Sequence, residues 1–395
     1  MRERFDIAVV GGGIAGLLAA LAFARQGRSV LCVDPRPADQ DALDPSSDLR
    51  TTAYLQPGRD FLESLGIWED LAGEAQALRV MRIKDLAKGG PGDAKDFASD
   101  DISERPFGWN VANWRMRAVL LQRARNTPGL DFRPETALAA LTARTEEALL
   151  TLSDGAQAGV RLVVGADGRD SFVRNCLGIR VRRHAFGQSA LTFAVNHDTP
   201  HHNISTEVHR SGGPFTLVPL PDHAGRPCSA VVWMERGVEA ERLMGLSEES
   251  FNAEATERSG GVNGDLMLAT SRSRWPIISQ LADRLTGARS ALIAEAAHVM
   301  PPIGAQGLNM SLRDIAKLVE LTAPAEDPGA RAILRRYARA RWPDMALRIG
   351  GISALNTISM AGDPGMTRAR ASGLELFHGV APIRKTLMRL GLGAA

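Results

Sequence analysis

The sequence predicts an α/β fold in which a parallel-sheet domain is interleaved with an antiparallel β-sheet domain and followed by a helical C-terminus. Three observations predict it. An apolar run, FDIAVV, meets the turn GGGIAG and passes into a helix-like IAGLLAALAFARQ. A second apolar run, RSVLCVD, follows and ends at Asp34, which completes a βαβ unit and requires a parallel sheet. Between Val181 and Met267, the short runs SALTFAVNH, PFTLVPLP and CSAVVWM are separated by turn residues, the pattern of an antiparallel sheet laid over a pocket.

The first turn places Gly11, Gly13 and Gly16 in Rossmann-type dinucleotide spacing. The first lets the chain turn, the second lets the backbone approach a pyrophosphate, and the third lets the helix pack on the strand. Asp34 lies 18 residues after Gly16 at the end of the next strand, where a carboxylate accepts the hydroxyls of an adenosine ribose. From Gly58 to Ala72 the pattern is helical. Ala87–Asp101, with Gly89-Gly90-Pro91-Gly92, reads as an exposed loop or hairpin tip. A helix rich in Arg runs from about Asn113 to Asn126, and RLVVGADG, ending at Gly168, returns to strand.

The stretch ALIAEAAHVMPPIGAQGLNMSLRD, Ala291–Asp314, reads as a strand whose carboxyl end delivers Glu295 to a ligand. A Gly-rich turn then opens a helix whose bare N-terminal amides face the same place. Beyond it the pattern is helical to the end, with breaks at Pro324, Pro328, Gly350-Gly351 and Asp363-Pro364-Gly365.

With 395 residues and 44% apolar content, the chain carries material for a sizeable core in two or three domains. Its 47 basic and 45 acidic residues leave a net charge of +2, with no basic run interleaved with aromatics, so nucleic acid is excluded as a partner. Cys32, Cys176 and Cys228 lack paired spacing, which supports neither a disulfide framework nor a thiolate metal site and fits a reducing cytoplasm. The uncharged run Ile7–Ala24 superficially resembles a secretion signal, but four glycines divide it into strand and helix.

GADGRDSFVR, Gly165–Arg174, resembles the second fingerprint of the flavin-dependent aromatic hydroxylases, and Ala291–Asp314 resembles their third. The likeness covers nearly the whole chain. It is closest to the ubiquinone-biosynthesis hydroxylases within the para-hydroxybenzoate hydroxylase fold, through LRTTAY at Leu49–Tyr54, FLESLGIWEDL at Phe61–Leu71, GPFTLVPLP at Gly213–Pro221 and RASGLELF near the C-terminus. This resemblance implies FAD as cofactor. Gly11, Gly13, Ile14, Ala15, Gly16 and Asp34 would hold its adenosine half, Arg50 would reach the pyrophosphate, and Asn113 would make a side-chain contact. Asp167 would lie beside the central phosphates and Glu295 at the ribityl and pyrophosphate region. Gly304 would belong to the same turn, the amides of Gly307, Leu308 and Asn309 would meet the pyrimidine edge, and Pro302 would line the ring site. The implied partition is 1–85, 109–180 and 271–345 for the FAD domain, 86–108 and 181–270 for the substrate sheet, and 346–395 for a C-terminal helical segment.

The resemblance further implies hydroxylation of a polyprenylated phenol through a flavin hydroperoxide, with dioxygen as co-substrate and either NAD(P)H or a reductase partner as electron donor. Where the family has Gly-Asp, this chain has Ala294-Glu295, so the carboxylate stands one methylene further out and a methyl crowds the backbone. Two alternatives stay open: a non-catalytic scaffold of the biosynthetic complex, or a flavin monooxygenase of a small phenol. His298 reads as support for its turn. His201, His202, Glu207 and His209 read as a solvated strand and not as a metal site. Only Tyr54 and Tyr337 are available for a tyrosine relay. The tail VAPIRKTLMRLGLGAA, mildly basic and amphipathic, reads either as a surface for the inner membrane or other biosynthetic proteins, or as a helix packed on the FAD domain. Homo-oligomerisation stays open.

Overall fold

The computed structural model describes residues 2–38, 50–86, 94–210, 212–360 and 378–392. Leu49, the glycines of the predicted 87–101 loop, the Asp363-Pro364-Gly365 break and RASGLELF lie outside the described residues.

The first sheet grows from the strand Glu3–Val10, whose residues Ile7 to Val10 are buried. It pairs in parallel with Val30–Val33 on one side and Gln157–Gly165 on the other. Leu130–Arg133 and Ser290–Leu292 extend the two flanks, also in parallel. The helix Ile14–Arg25 is buried from Ala15 to Ala24, which explains why its sequence is apolar all round: it is covered on several sides, not laid on a surface. The helix Gln306–Thr322 packs against it and against Arg331–Met360.

Among the described residues the second sheet has nine strands, of which Val181–Asn196 is 16 residues long. Its pairs are antiparallel except one, Ile204–His209 beside Val80–Asp85, which is parallel. Ala94–Ala98 pairs back on Val80–Asp85 and forms the sheet edge. Strand alternation gives the sheet two different faces. Leu191, Val208, Phe215 and Trp233 pack against the helices Gly237–Met244 and Glu248–Ser259. Thr192, Glu207, Thr216 and Val232 turn the other way, towards a cavity. The predicted fold class is therefore the observed one: a nucleotide-type sheet with a parallel centre and antiparallel strands added at its flanks, an antiparallel sheet and helices at the C-terminus.

Three local expectations need correction. The predicted helix at Gly58–Ala72 is α-helical only over Gln56–Ser64, after which Gly66 takes φ +68° and a short 3₁₀ turn, Trp68–Asp70, follows. The predicted break at Gly350-Gly351 is absent, and the helix Arg331–Met360 runs through both glycines and through Pro343. Each interior glycine costs about 1 kcal/mol relative to alanine. Burial of Leu334, Tyr337, Met345, Ile349 and Ile352 along one side holds the helix together regardless. Finally, the strand Ser290–Leu292 stops before Glu295, which sits in a one-turn helix, Ala294–Ala297.

Candidate active site

The two sheets enclose a cavity of 1410 Å³ that begins at the Gly-rich turn and reaches the inner face of the antiparallel sheet. Small-molecule sites run to about 300–1,000 Å³, so this volume suits a dinucleotide together with a second molecule. Gly11, Gly13, Ile14, Ala15, Asp34, Arg50, Asn113, Asp167, Glu295, Pro302, Gly304, Gly307 and Leu308 all line it. Gly16 and Asn309 do not.

The three glycines of the first turn differ in what surrounds them. A Cβ on Gly16 would lie 1.8 Å from the Gly11 carbonyl oxygen, and a Cβ on Gly11 would lie 2.4 Å from that of Ala166. These two permit close packing of backbone on backbone. A Cβ on Gly13 meets only Arg36 Nη2, at 3.7 Å, and points into the cavity's cradle. Gly13 is also the N-cap of the first helix, with no side-chain cap and no acidic residue in the first turn. The helix Gln306–Thr322 likewise opens on Ala305 with no side-chain cap and no acidic first turn. Two helix N-termini without side-chain caps, and with positive dipole ends, thus meet one cavity, a donor set made for phosphate and carbonyl oxygens.

Asp34 is 3% exposed; its carboxylate accepts from the Gly12 amide at 2.5 Å and from the Arg36 amide at 2.8 Å, which locks the turn against the second strand. Asn113 begins its helix, as expected, and accepts from Thr52 Oγ1 at 2.7 Å. Asp167 accepts from Ser171 Oγ at 2.5 Å and from the Val173 amide at 3.0 Å, so it fixes the start of the helix Phe172–Cys176 while still lining the cavity. The Arg50 guanidinium lies 4.3 Å over the Trp275 ring. Asn309 holds the second helix to the strand Thr51–Leu55: its Oδ1 accepts from the Leu55 amide and its Nδ2 donates to the Ala53 and Ala305 carbonyls.

Glu295 is half-exposed, and its nearest cation is Arg169, with Nε 3.5 Å from Oε2. Its neighbour Ala294 is held at φ +54°, a left-handed conformation that costs an L-residue about 1–2 kcal/mol. The methyl is therefore accommodated by strain in the backbone. His298 is 2% exposed and its Nε2 donates to the Asp314 carboxylate at 2.7 Å, while Asp314 also accepts from Arg341 Nε at 2.8 Å. This buried chain ties the turn to both long helices. The Tyr337 hydroxyl donates to the Leu292 carbonyl at 2.9 Å, and burial holds its phenol well above the usual range. Neither Tyr54 nor Tyr337 lines the cavity.

Sequence reasoning missed Arg36, Arg169 and Trp275, all of which line the cavity, and it misjudged Glu207 and His209. Those two are 7% and 9% exposed and face the cavity, not solvent. Their alternation with Thr206 and Val208 marks a two-faced strand, but a polar face looks the same in sequence whether it meets water or a chamber. Among the described residues no group of three metal-ligating side chains converges.

The sequence family described as FAD binding domain matches residues 4–346. The chain is 33% identical to the ubiquinone hydroxylase UbiL of Rhodospirillum rubrum, over 98% of this chain and 89% of that protein. It is 24% identical to the 3-demethoxyubiquinol 3-hydroxylase of Escherichia coli, over 98% of each. The fold superposes on p-nitrophenol 4-monooxygenase PnpA from Pseudomonas putida with a TM-score of 0.81 at 18% identity, covering 100% of both chains. The residues lining the cavity fit the dinucleotide that this family binds: an open glycine cradle, two uncapped helix N-termini and four arginines, Arg36, Arg50, Arg117 and Arg169. The chain belongs to the FAD-dependent aromatic-ring hydroxylases, in the family that includes the ubiquinone hydroxylases.

Proposed function

We propose that this enzyme hydroxylates the ring of a polyprenylated phenol in ubiquinone biosynthesis. One observation carries the reading: the dinucleotide cradle opens directly into an apolar chamber that ends in a few unpartnered polar atoms. Leu78, Met81, Phe97, Phe107, Leu355 and Met388 supply apolar walls. Each methylene of a prenyl tail buried against them contributes about 0.8 kcal/mol. Among the described residues, Asn110 Oδ1, Thr192 Oγ1, His209 Nδ1 and Trp275 Nε1 are buried on the cavity without a hydrogen-bond partner. A phenol ring with oxygen substituents offers them partners.

In this reading Gly11, Gly13, Ile14 and Ala15 hold the pyrophosphate side of FAD, and Asp34 orders that turn and faces the ribose. Arg50, Asn113, Asp167 and Glu295 line the central part, and Gly304, Gly307 and Leu308 meet the pyrimidine edge. Asn309 acts through the helix it anchors. Bound FAD, reduced by NAD(P)H or a reductase partner, supplies the redox chemistry that moves one oxygen atom of dioxygen to the ring. The chain positions the ring against Pro302, excludes water and manages the phenol proton. Among the described residues no helix is long and apolar enough to cross a membrane, so a bilayer-dissolved substrate is met at the membrane surface or handed over by other biosynthetic proteins. Expression in bacterial strains that each lack one ring hydroxylase tests the function. The account expects one strain to regain ubiquinone and lose its accumulated intermediate; failure to restore any strain, with holoenzyme present, contradicts it.

A further inference from the structure

We propose that His209 is the residue that takes the proton of the substrate phenol, with Glu207 as its positioning partner; this rests on the phenol reading above. The strand Ile204–His209 sends Val208 into the helix-covered core, while Ser205, Glu207 and His209 line the cavity. Residues two apart on a strand share a face, so Glu207 and His209 meet side by side. His209 Nε2 lies 2.6 Å from Glu207 Oε1. An ionised carboxylate only accepts, so Nε2 carries the hydrogen and the lone pair is on Nδ1. That Nδ1 is buried and, among the described residues, has no partner.

A histidine that serves the fold can use both nitrogens. His197 on the same sheet does so, with Nδ1 at 2.9 Å from the Thr199 carbonyl and Nε2 at 2.9 Å from Ser229 Oγ. His209 lines the chamber with an Nδ1 that is buried and, among the described residues, unpartnered, oriented by a carboxylate behind it, in an enzyme whose tyrosines lie elsewhere. Among the described residues the neighbouring strands add one titratable group on this face, Asp85, in register with His209; on the other side Thr216 is in register with Glu207.

The step is a proton transfer and moves no electrons between molecules. The phenol O–H bond breaks, its electron pair stays on oxygen, and a new Nδ1–H bond forms. The imidazolium so made is paired with the Glu207 carboxylate. The phenolate is a more electron-rich ring for the incoming oxygen atom, and the proton returns when the product phenol reforms.

The test uses oxidised holoenzyme titrated with 2-geranylphenol, reading the ultraviolet phenolate band across the neutral pH range. Wild type is expected to bind the probe and show the band. His209→Gln is expected to retain FAD and probe binding, lose the band, and turn over about 100-fold more slowly. Glu207→Gln keeps an acceptor for Nε2 but removes the charge, so the band should move to higher pH, a shift that a merely structural role would not produce. Binding by wild type without a phenolate band overturns the proposal even if the variants fail to fold. Persistence of the band in folded His209→Gln overturns it equally. Absence of any binding by wild type overturns the phenol reading, and the base with it.

Discussion

At Gly13 a new Cβ would have open space in front of it, whereas at Gly16 it would strike the Gly11 carbonyl at 1.8 Å. The two positions should therefore fail in different ways. Gly13→Val is expected to fill the pyrophosphate cradle and purify without flavin, with apoprotein unfolding in urea unchanged; stoichiometric flavin by absorbance would refute the assigned role. Glu295 poses a similar question of charge against shape. In the proposed reading its carboxylate, beside Arg169, accepts from the bound cofactor, and loss of a hydrogen bond to a charged group costs about 1.5–3 kcal/mol. Glu295→Ala should thus weaken FAD binding by about ten- to a hundredfold, while Glu295→Asp retains it. Equal FAD affinity in both variants, with turnover lost only in the alanine form, would assign Glu295 to the chemistry. The pyrophosphate role of Gly13 stays a proposal, whereas the close packing at Gly16 could be read from the sequence because turn geometry leaves few residue choices. The burial of His209 could not, since burial depends on a strand distant in sequence, Val80–Asp85, lying beside it.

The long helices Gln306–Thr322 and Arg331–Met360 are joined by a chain of charges that begins at the buried His298–Asp314 pair. Arg341 bridges Asp314 to Asp344, and Arg348 donates to Asp344 at 2.8 Å and to Gln306 at 3.2 Å. Burial alone would raise the Asp344 carboxyl, but the hydrogen bonds from Arg341 and Arg348 outweigh it and hold it below its ordinary value of 3.8. A depressed carboxyl stabilises the fold fully above its unfolded value and ceases to do so as pH falls through the lower folded one. Urea unfolding of Asp344→Asn should accordingly be weaker than wild type at neutral pH and converge with it in strong acid; a constant gap between the two would remove this network from the stability account. The terminal helix Ala381–Leu392 corrects the reading of the tail as a helix packed on the FAD domain. Arg384 pairs with Asp101 at 3.1 Å, the His378 ring stands edge-on to Phe97 at 5.5 Å, and Met388 is buried on the cavity. It packs beside the edge of the antiparallel sheet and adds Met388 to the chamber wall, so deletion after Gly379 should leave FAD content intact and weaken binding of 2-geranylphenol. Unchanged affinity in a truncated holoenzyme would reject that role. The side chains of Ile383, Leu387, Leu390 and Leu392 lie outside the described residues, and a membrane role for the tail stays a separate proposal.

Across the whole chain, the parts legible in sequence are those in which chemistry constrains backbone: the Gly11–Gly16 turn, the carboxyl end of the second strand at Asp34, and the turn before Gln306. The parts that were not legible depend on packing. The Gly350-Gly351 pair looked like a break, yet the helix around it is held by its buried side; Glu295 looked like a strand end, yet the chain takes a left-handed step at Ala294 and Glu295 sits within a single helical turn. Neither outcome follows from local propensity, because tertiary contacts decide both. The account as a whole claims that one cavity holds FAD at one end and a prenylated phenol at the other, so that an oxygen atom from dioxygen reaches the ring. Incubating the holoenzyme with 2-geranylphenol, a chemical flavin reductant and ¹⁸O-labelled dioxygen, followed by mass spectrometry of the phenol, tests that claim most directly. The predicted result is a ring-hydroxylated product with one labelled oxygen; recovery of unchanged phenol, or of a hydroxylated product without the label, would contradict it.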